Sequence, residues 1–318
     1  MARGLPGLLL VLVLALAPAG AWSADEAYSQ DSPGESSSKK EDGRQRPLGA
    51  LIFGATPEER ERLAEERRRL SAMAAAFGTD PTAIIGYYQL FYQRNAYTNN
   101  LNLDAATAVA QVPITPNWFV RATLPYVWAD SNQPNGSTGH GTGDTVVRTA
   151  GRLYASENVV LLIGADASFP TAAKTQLGTG KYTLGPGGAL AFPLPRARSL
   201  FFTLVQNFNS IGGDPSRDHI HYMQVQPTLN TIWSKQWWTS VIGDFNVDWT
   251  HRRKTTINLQ GQVGHQFDRN WVLFAGAGAG VAGRDSSLGM DWMVNAGVRW
   301  VFKTPLFGET IFGEPLGK

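Results

Sequence analysis

The sequence predicts an all-β fold: a transmembrane, antiparallel, up-and-down β-barrel of about twelve strands, preceded by a short N-terminal periplasmic helix. Three observations carry this expectation. The 318 residues are only 17% charged yet include 34 Gly and 10 Trp, a balance that suits a sheet facing lipid better than a soluble enzyme. From Pro81 onward, apolar residues recur at every second position, the period of a strand with two unlike faces. After residue 24 no apolar run is long enough to cross a bilayer as a helix, so a membrane part must be built of strands. Composition also excludes several classes. With no Cys there is no disulfide scaffold, Cys-ligated zinc, iron–sulfur cluster or thiol nucleophile. A formal net charge of +2 without a long basic run gives nucleic acid little to hold.

Residues 1–24 are expected to be a cleaved secretory signal. Arg3 supplies the positive start, Leu8 to Ala17 the apolar stretch, and Ala21, Ser23 and Ala24 offer cleavage sites. Charge then divides the chain. Of the 56 residues from Asp25 to Asp80, 21 are Asp, Glu, Lys or Arg; of the 238 from Pro81 to Lys318, 32 are. Residues 25–55 read as a disordered periplasmic linker, too polar to bury a core. Residues 56–78 read as a charged helix. It opens on the capping box Thr56-Pro57-Glu58-Glu59 and stops at Gly78 and Pro81. Its apolar stripe (Leu63, Leu70, Met73, Phe77) is narrow, which favours a solvated linker helix over a plug at the barrel mouth.

Residues 79–302 are expected to form the barrel, and 303–318 a periplasmic tail. In the last strand Met290, Trp292, Val294, Ala296, Val298, Trp300 and Phe302 alternate with a mixed polar set. Ile257, Leu259, Val263 and Phe267, and Trp237, Val241, Phe245, Val247 and Trp249, repeat the pattern. Apolar residues outward and polar ones inward over about ten residues mark a transmembrane strand. Such segments fall at 82–94, 99–113, 118–130, 143–155, 158–170, 182–194, 199–210, 219–233, 237–250, 255–267, 271–283 and 289–302. The links after even-numbered strands are tight, whereas Ser131 to Gly141 and Thr171 to Lys181 are long. That asymmetry puts short turns in the periplasm and loops outside. Tryptophans fall at two levels: Trp118, Trp233, Trp237, Trp238, Trp271 and Trp300 by the turns, and Trp128, Trp249 and Trp292 by the loops. Two interfacial girdles would look like this.

Apparent nucleotide motifs do not fit. Gly278-Ala279-Gly280-Val281-Ala282-Gly283 leads into another alternating strand, not into the helix a dinucleotide site requires. Its glycines are expected to keep one lumenal wall free of side chains. Gly178-Thr179-Gly180-Lys181 lacks the other residues of a phosphate loop. His219 and His221, with His140, His251 and Asp218 at the same end, hint at half a metal site, but no metal and no cofactor are expected. No catalytic residues are assigned. The inward charges are more informative, because charge does not face lipid cheaply. Arg121, Arg148, Arg152, Asp166, Asp244, Asp248, Asp291 and Arg299 are the candidate lumen and constriction residues. They act either as a network bracing the wall or as a narrow charged passage.

Three short motifs resemble a known family. Arg121-Ala122-Thr123-Leu124-Pro125-Tyr126, then Gly141-Thr142-Gly143-Asp144, then Phe169-Pro170-Thr171 are similar to those of the outer-membrane family named for the meta-cleavage pathway of phenol degradation. The resemblance spans Pro81 to Phe302. It implies an outer-membrane barrel that helps move small compounds, aromatic or hydrophobic ones among them, and it brings no catalytic residues. The chain departs from it in its charged leading segment and its tail. The flanks share a small repeat, Leu51-Ile52-Phe53-Gly54 and Thr310-Ile311-Phe312-Gly313.

The expectation is thus a bacterial outer-membrane channel or passive transporter for small solutes, not an enzyme. Its partners would be outer-membrane lipid, small-molecule solutes and the barrel-assembly machinery, with no nucleic acid. The alternatives are a membrane-embedded lipid-modifying enzyme, a closed structural barrel presenting its periplasmic segment to partners, and a soluble binding calyx.

Overall fold

The computed structural model describes residues 57–302 except 81, 99–100, 132–137, 157, 252 and 287. The expected signal, linker and tail, and the repeat in the flanks, lie outside the described residues. One helix, α1 (Pro57–Phe77), precedes the strands β1 (Gly86–Ala96), β2 (Leu101–Thr115) and β3 (Trp118–Ser131). Strand β4 comes in two pieces, Gly139–Thr142 and Thr145–Ala155. Then follow β5 (Val160–Phe169), β6 (Lys181–Leu194), β7 (Ser199–Gly213), β8 (His221–Ile232), β9 (Trp237–Asp248), β10 (Lys254–Gln266), β11 (Trp271–Ala282) and β12 (Trp292–Phe302). Each strand pairs antiparallel with its neighbours in sequence. The last closes on the first, from Gly86 opposite Phe302 to Ala96 opposite Trp292. A closed, twelve-strand antiparallel barrel results.

The outer wall is apolar as the alternation requires. Leu90, Leu124, Ile163, Leu190, Val205, Val241, Leu273 and Val294 are all exposed. In a soluble protein a patch this large would drive aggregation; here it is a lipid face. Outward tryptophans mark both ends: Trp118, Trp233 and Trp271 by the short turns, Trp128, Trp249 and Trp292 by the long loops. Trp238 corrects the girdle expectation. It is fully buried, because its neighbour Trp237 takes the lipid side and period-2 geometry turns Trp238 inward. The ring lies over Gly264, where a Cβ would come within 2.2 Å of it. Inward positions carry Gln111, Gln206, Thr228, Asn230, Ser240, Asn246, Thr256 and Asn258, all buried. Gly276 and Gly278 also face inward, opposite Asn295 and Met293. No helix follows Gly283; the chain passes through a turn into β12.

Two expected strands begin four residues away, the largest displacements among the strand starts. The first starts at Gly86, not at residue 82, because residues 82–85 still cross the barrel interior as irregular chain. The fourth runs above residue 143, to Gly139, with a break at Gly143 and Asp144. That break draws the three family-like motifs together. Gly143 N–H donates to the Pro125 carbonyl at 2.9 Å. Asp144 accepts from Thr179 N–H at 2.6 Å and from the Thr179 hydroxyl at 2.8 Å. The Thr171 hydroxyl meets that of Thr145 at 2.8 Å. The loop after β5, including the 3-10 turn Thr175–Leu177, is thereby folded back against β3 and β4, burying Leu177.

Helix α1 lies in the short-turn mouth of the barrel. Its charged first half is exposed, with Arg62 and Glu66 paired one turn apart at 3.8 Å. Its second half presents Leu70, Ala74 and Phe77, which are 7%, 0% and 1% exposed, at the i, i+4, i+7 spacing of one face. They pack on Ala191, Leu200, Ile232, Trp238, Val272 and Phe274, inward residues at the short-turn ends of β6, β7, β8, β9 and β11. The helix ends in a Schellman motif. Gly78, at φ +67, donates to the Ala75 carbonyl, and Thr79 N–H donates to the Ala74 carbonyl, both at 2.9 Å. Of the two readings of this helix, the solvated linker is therefore corrected: the narrow stripe is a seat inside the barrel.

Candidate channel constriction

The chain leaving α1 crosses the lumen, and the inward arginines hold it there. Arg299, from β12, donates through Nη1 to the carbonyls of Phe77 at 3.0 Å and Gly78 at 2.6 Å, and through Nε to Gln89 at 2.7 Å. Arg152, from β4, donates to the Thr82 carbonyl at 2.8 Å. Gln111 of β2 reaches the Ile85 carbonyl at 2.9 Å, and Asn230 of β8 reaches the Thr79 hydroxyl at 2.6 Å. Asp80 folds back on its own turn, accepting from Thr82 N–H at 2.8 Å and from the Thr82 hydroxyl at 2.6 Å. Irregular backbone inside a membrane barrel needs such partners, because each unmet polar group costs several kcal/mol, about 2 or more.

Above this crossing lies a cavity of about 330 Å3, lined by Tyr87, Gln111, Phe119, Arg121, Arg148, Asp166, Gln206 and Arg299 among others. Arg148 and Asp166 sit opposite each other on β4 and β5. They form a bidentate pair, Nε to Oδ1 at 2.6 Å and Nη2 to Oδ2 at 2.7 Å, and Arg148 also reaches Gln206 at 3.2 Å. Asp166 lines a second cavity as well, a vestibule of about 680 Å3 toward the long loops, with Phe208, Arg217, His219, Tyr222, Asp248 and His251. The Arg148–Asp166 pair thus stands where the inner cavity meets the vestibule.

No family model matches the sequence, and no curated protein matches it. Solved structures do match the fold. The COG4313 outer membrane channel from Pseudomonas putida F1 aligns with a TM-score of 0.55 and 14% identity, covering 70% of this chain and 96% of that one. The fold is that of an outer-membrane β-barrel. The NanC porin aligns at a TM-score of 0.48 and 10% identity, over 68% of this chain and 98% of the porin.

Within this barrel the eight predicted site residues separate into levels. Arg121, Arg148, Asp166 and Arg299 surround the inner cavity, and Arg152 lies beside it on the crossing segment. Asp244 lies outside the lining of both cavities, bound to Gln224 at 2.6 Å and Asn246 at 3.0 Å. Asp248 is in the vestibule, held by His251 Nδ1 at 2.8 Å and by Thr250 N–H at 2.9 Å. Asp291 precedes β12 at the loop rim, accepting from the Thr98 hydroxyl at 2.9 Å. Basic residues therefore gather in the short-turn half and most acids in the loop half.

Sequence reasoning missed the neutral partners. Gln89, Gln111, Gln206 and Asn230 do as much positioning as the charged residues, and all lie on the inward phase, which was the signal for them. Among the described residues no group of three or more His, Asp or Glu is placed to hold a metal ion. His219 Nδ1 does meet the Ser210 hydroxyl at 2.6 Å. That hydroxyl also accepts from Ile220 N–H at 3.0 Å, and no carboxylate among the described residues pairs with His219. The pair ties a loop to β7, and the orienting third group of a nucleophile–base arrangement is not found among the described residues.

Proposed function

We propose that this chain is a plugged channel of the bacterial outer membrane that admits small solutes by diffusion, with the short-turn end in the periplasm. One observation carries the reading. Two lumenal cavities, the vestibule and the inner one, meet at Asp166, which lines both, and the inner one ends against Gly78, Thr79, Asp80 and Ile85 of the segment that follows α1. A barrel built as a structural rod would fill its lumen with side chains from the wall; here the obstruction is a separate segment held by hydrogen bonds and one apolar face. The resemblance of the rim motifs to the phenol meta-cleavage family favours small organic compounds as solutes, and the cavity's mixed lining is consistent with them. The leading 24 residues would direct export, and the barrel-assembly machinery would insert the strands among outer-membrane lipids.

Single-channel recording in planar bilayers tests this. The expected result is rare, brief openings from the mature chain and frequent discrete steps from a chain beginning at Gly86, which lacks both α1 and the crossing segment. Silence from both, with the barrel shown to be folded by its heat-modifiable gel mobility, would overturn the channel reading.

A further inference from the structure

The lumenal arginines are not equivalent. Arg148 has its carboxylate, Asp166. Arg121 and Arg299 have none among the described residues: Arg121 donates through Nε and Nη2 to the Gln111 side-chain oxygen at 2.9 and 2.7 Å, and the acceptors of Arg299 are Gln89 and two backbone carbonyls. Both guanidiniums flank one ring, that of Tyr87, at 5.6 and 5.2 Å from its centroid. Both line the inner cavity. Neither guanidinium touches a carboxylate, and with Arg148 they set three cations against the carboxylates of Asp80 and Asp166 in the cavity lining, an excess of positive charge that an anion stabilises. The wall beside them is apolar: Phe119 lies 5.6 Å from the Arg121 guanidinium carbon, and Ile85, Leu162 and Phe202 line the same space. A volume of about 330 Å3 is at the lower end of the range for sites that enclose small organic molecules.

From this geometry we infer that Arg121 and Arg299 form a binding site for the carboxylate of a small organic monoanion, and that filling it loosens the plug. The inference rests on the channel reading and names the solute it favours. The coupling comes from Arg299, which faces the cavity and also grips the carbonyls of Phe77 and Gly78 at the end of α1. A carboxylate offers a guanidinium charge–charge attraction and a bidentate fork that a neutral carbonyl lacks. An arriving anion therefore competes for the group that latches the helix, and the solute helps open its own path.

The test uses the full mature chain, folded in detergent, with benzoate and its uncharged isostere benzamide as probes. Calorimetry is expected to show benzoate binding at least tenfold tighter than benzamide. Arg121→Gln should weaken benzoate at least tenfold, and Arg121→Lys should restore part of the loss. Equal binding of the two probes by the unaltered chain overturns the site even if neither variant folds. Plug release is read separately, because the chain has no cysteine: Ala74→Cys places a thiol on the buried face of α1. Its rate of labelling by a maleimide should rise about tenfold under saturating benzoate and stay unchanged under benzamide. No acceleration with benzoate overturns the coupling. Binding without conductance would remove the channel reading and keep the site; conductance without selective binding would do the reverse.

Discussion

At the scale of single residues, charge inside the barrel has opposite consequences at different positions. Arg148 and Asp166 are a buried pair with good bidentate geometry. Removing one partner strands the other, so Arg148→Met is expected to destabilise the barrel by about 3–5 kcal/mol. Arg148→Met combined with Asp166→Leu should cost much less, and urea unfolding in detergent micelles would show the difference. If the double variant is as unstable as the single one, the pair is not what holds β4 to β5 at this level. Asp80 is the contrary case. Burial raises its pKa above the ordinary carboxylate range, opposed by its hydrogen bonds from Thr82 and by the Arg152 charge. A raised value means that the seated segment favours the protonated form. Its contribution to seating is complete below the ordinary carboxylate pKa and is lost as pH rises through the raised one. Acidification from neutral pH should therefore lower the opening frequency, and Asp80→Asn should flatten that dependence. Openings that grow more frequent in acid would contradict it.

At the scale of elements, α1 combines a weak attachment with a definite seat. Fully burying a Leu or Phe side chain is worth about 1.5–3 kcal/mol, so Leu70 and Phe77 hold the helix by several kcal/mol at most. Phe77→Ala should forfeit about 3 kcal/mol, roughly a hundredfold in the seated-to-released ratio, while leaving the closed sheet intact. Counting openings of this variant in a bilayer checks the value. An unchanged count would mean that the crossing segment, not the helix, is the barrier. The loop after β5 is held differently, by a few polar contacts centred on Asp144. Asp144→Ala leaves the Thr179 N–H and hydroxyl without their acceptor and should release that loop. Proteolysis between residues 172 and 180 should become faster, with barrel stability changed little. Resistance equal to that of the parent chain would assign the loop's position to Leu177 instead.

Across the whole molecule, the sequence made the barrel legible because strand alternation is a local property. Each residue's face follows from its neighbour's, and a one-residue slip would turn every apolar side chain into the lumen. Strand number, the lipid face, the turn asymmetry and the inward direction of Arg121, Arg148, Arg152, Asp166 and Arg299 all follow from that phase. The same rule would have turned Trp238 inward, since Trp237 already claimed the lipid side. What the inward residues meet was not legible. Arg299 and the end of α1 are more than 200 positions apart in sequence, and their meeting depends on the closure of β12 on β1 and on the path of residues 78–80 and 82–85. A narrow apolar stripe looks the same on a solvated helix as on one seated in a pore; only the ring of apolar ends on β6 to β9 and β11 shows which it is. The sequence by itself determined the wall of this protein, because period-2 patterning is enforced strand by strand. Only the tertiary structure decided what stands inside it, because contacts across a lumen join residues that no local pattern links.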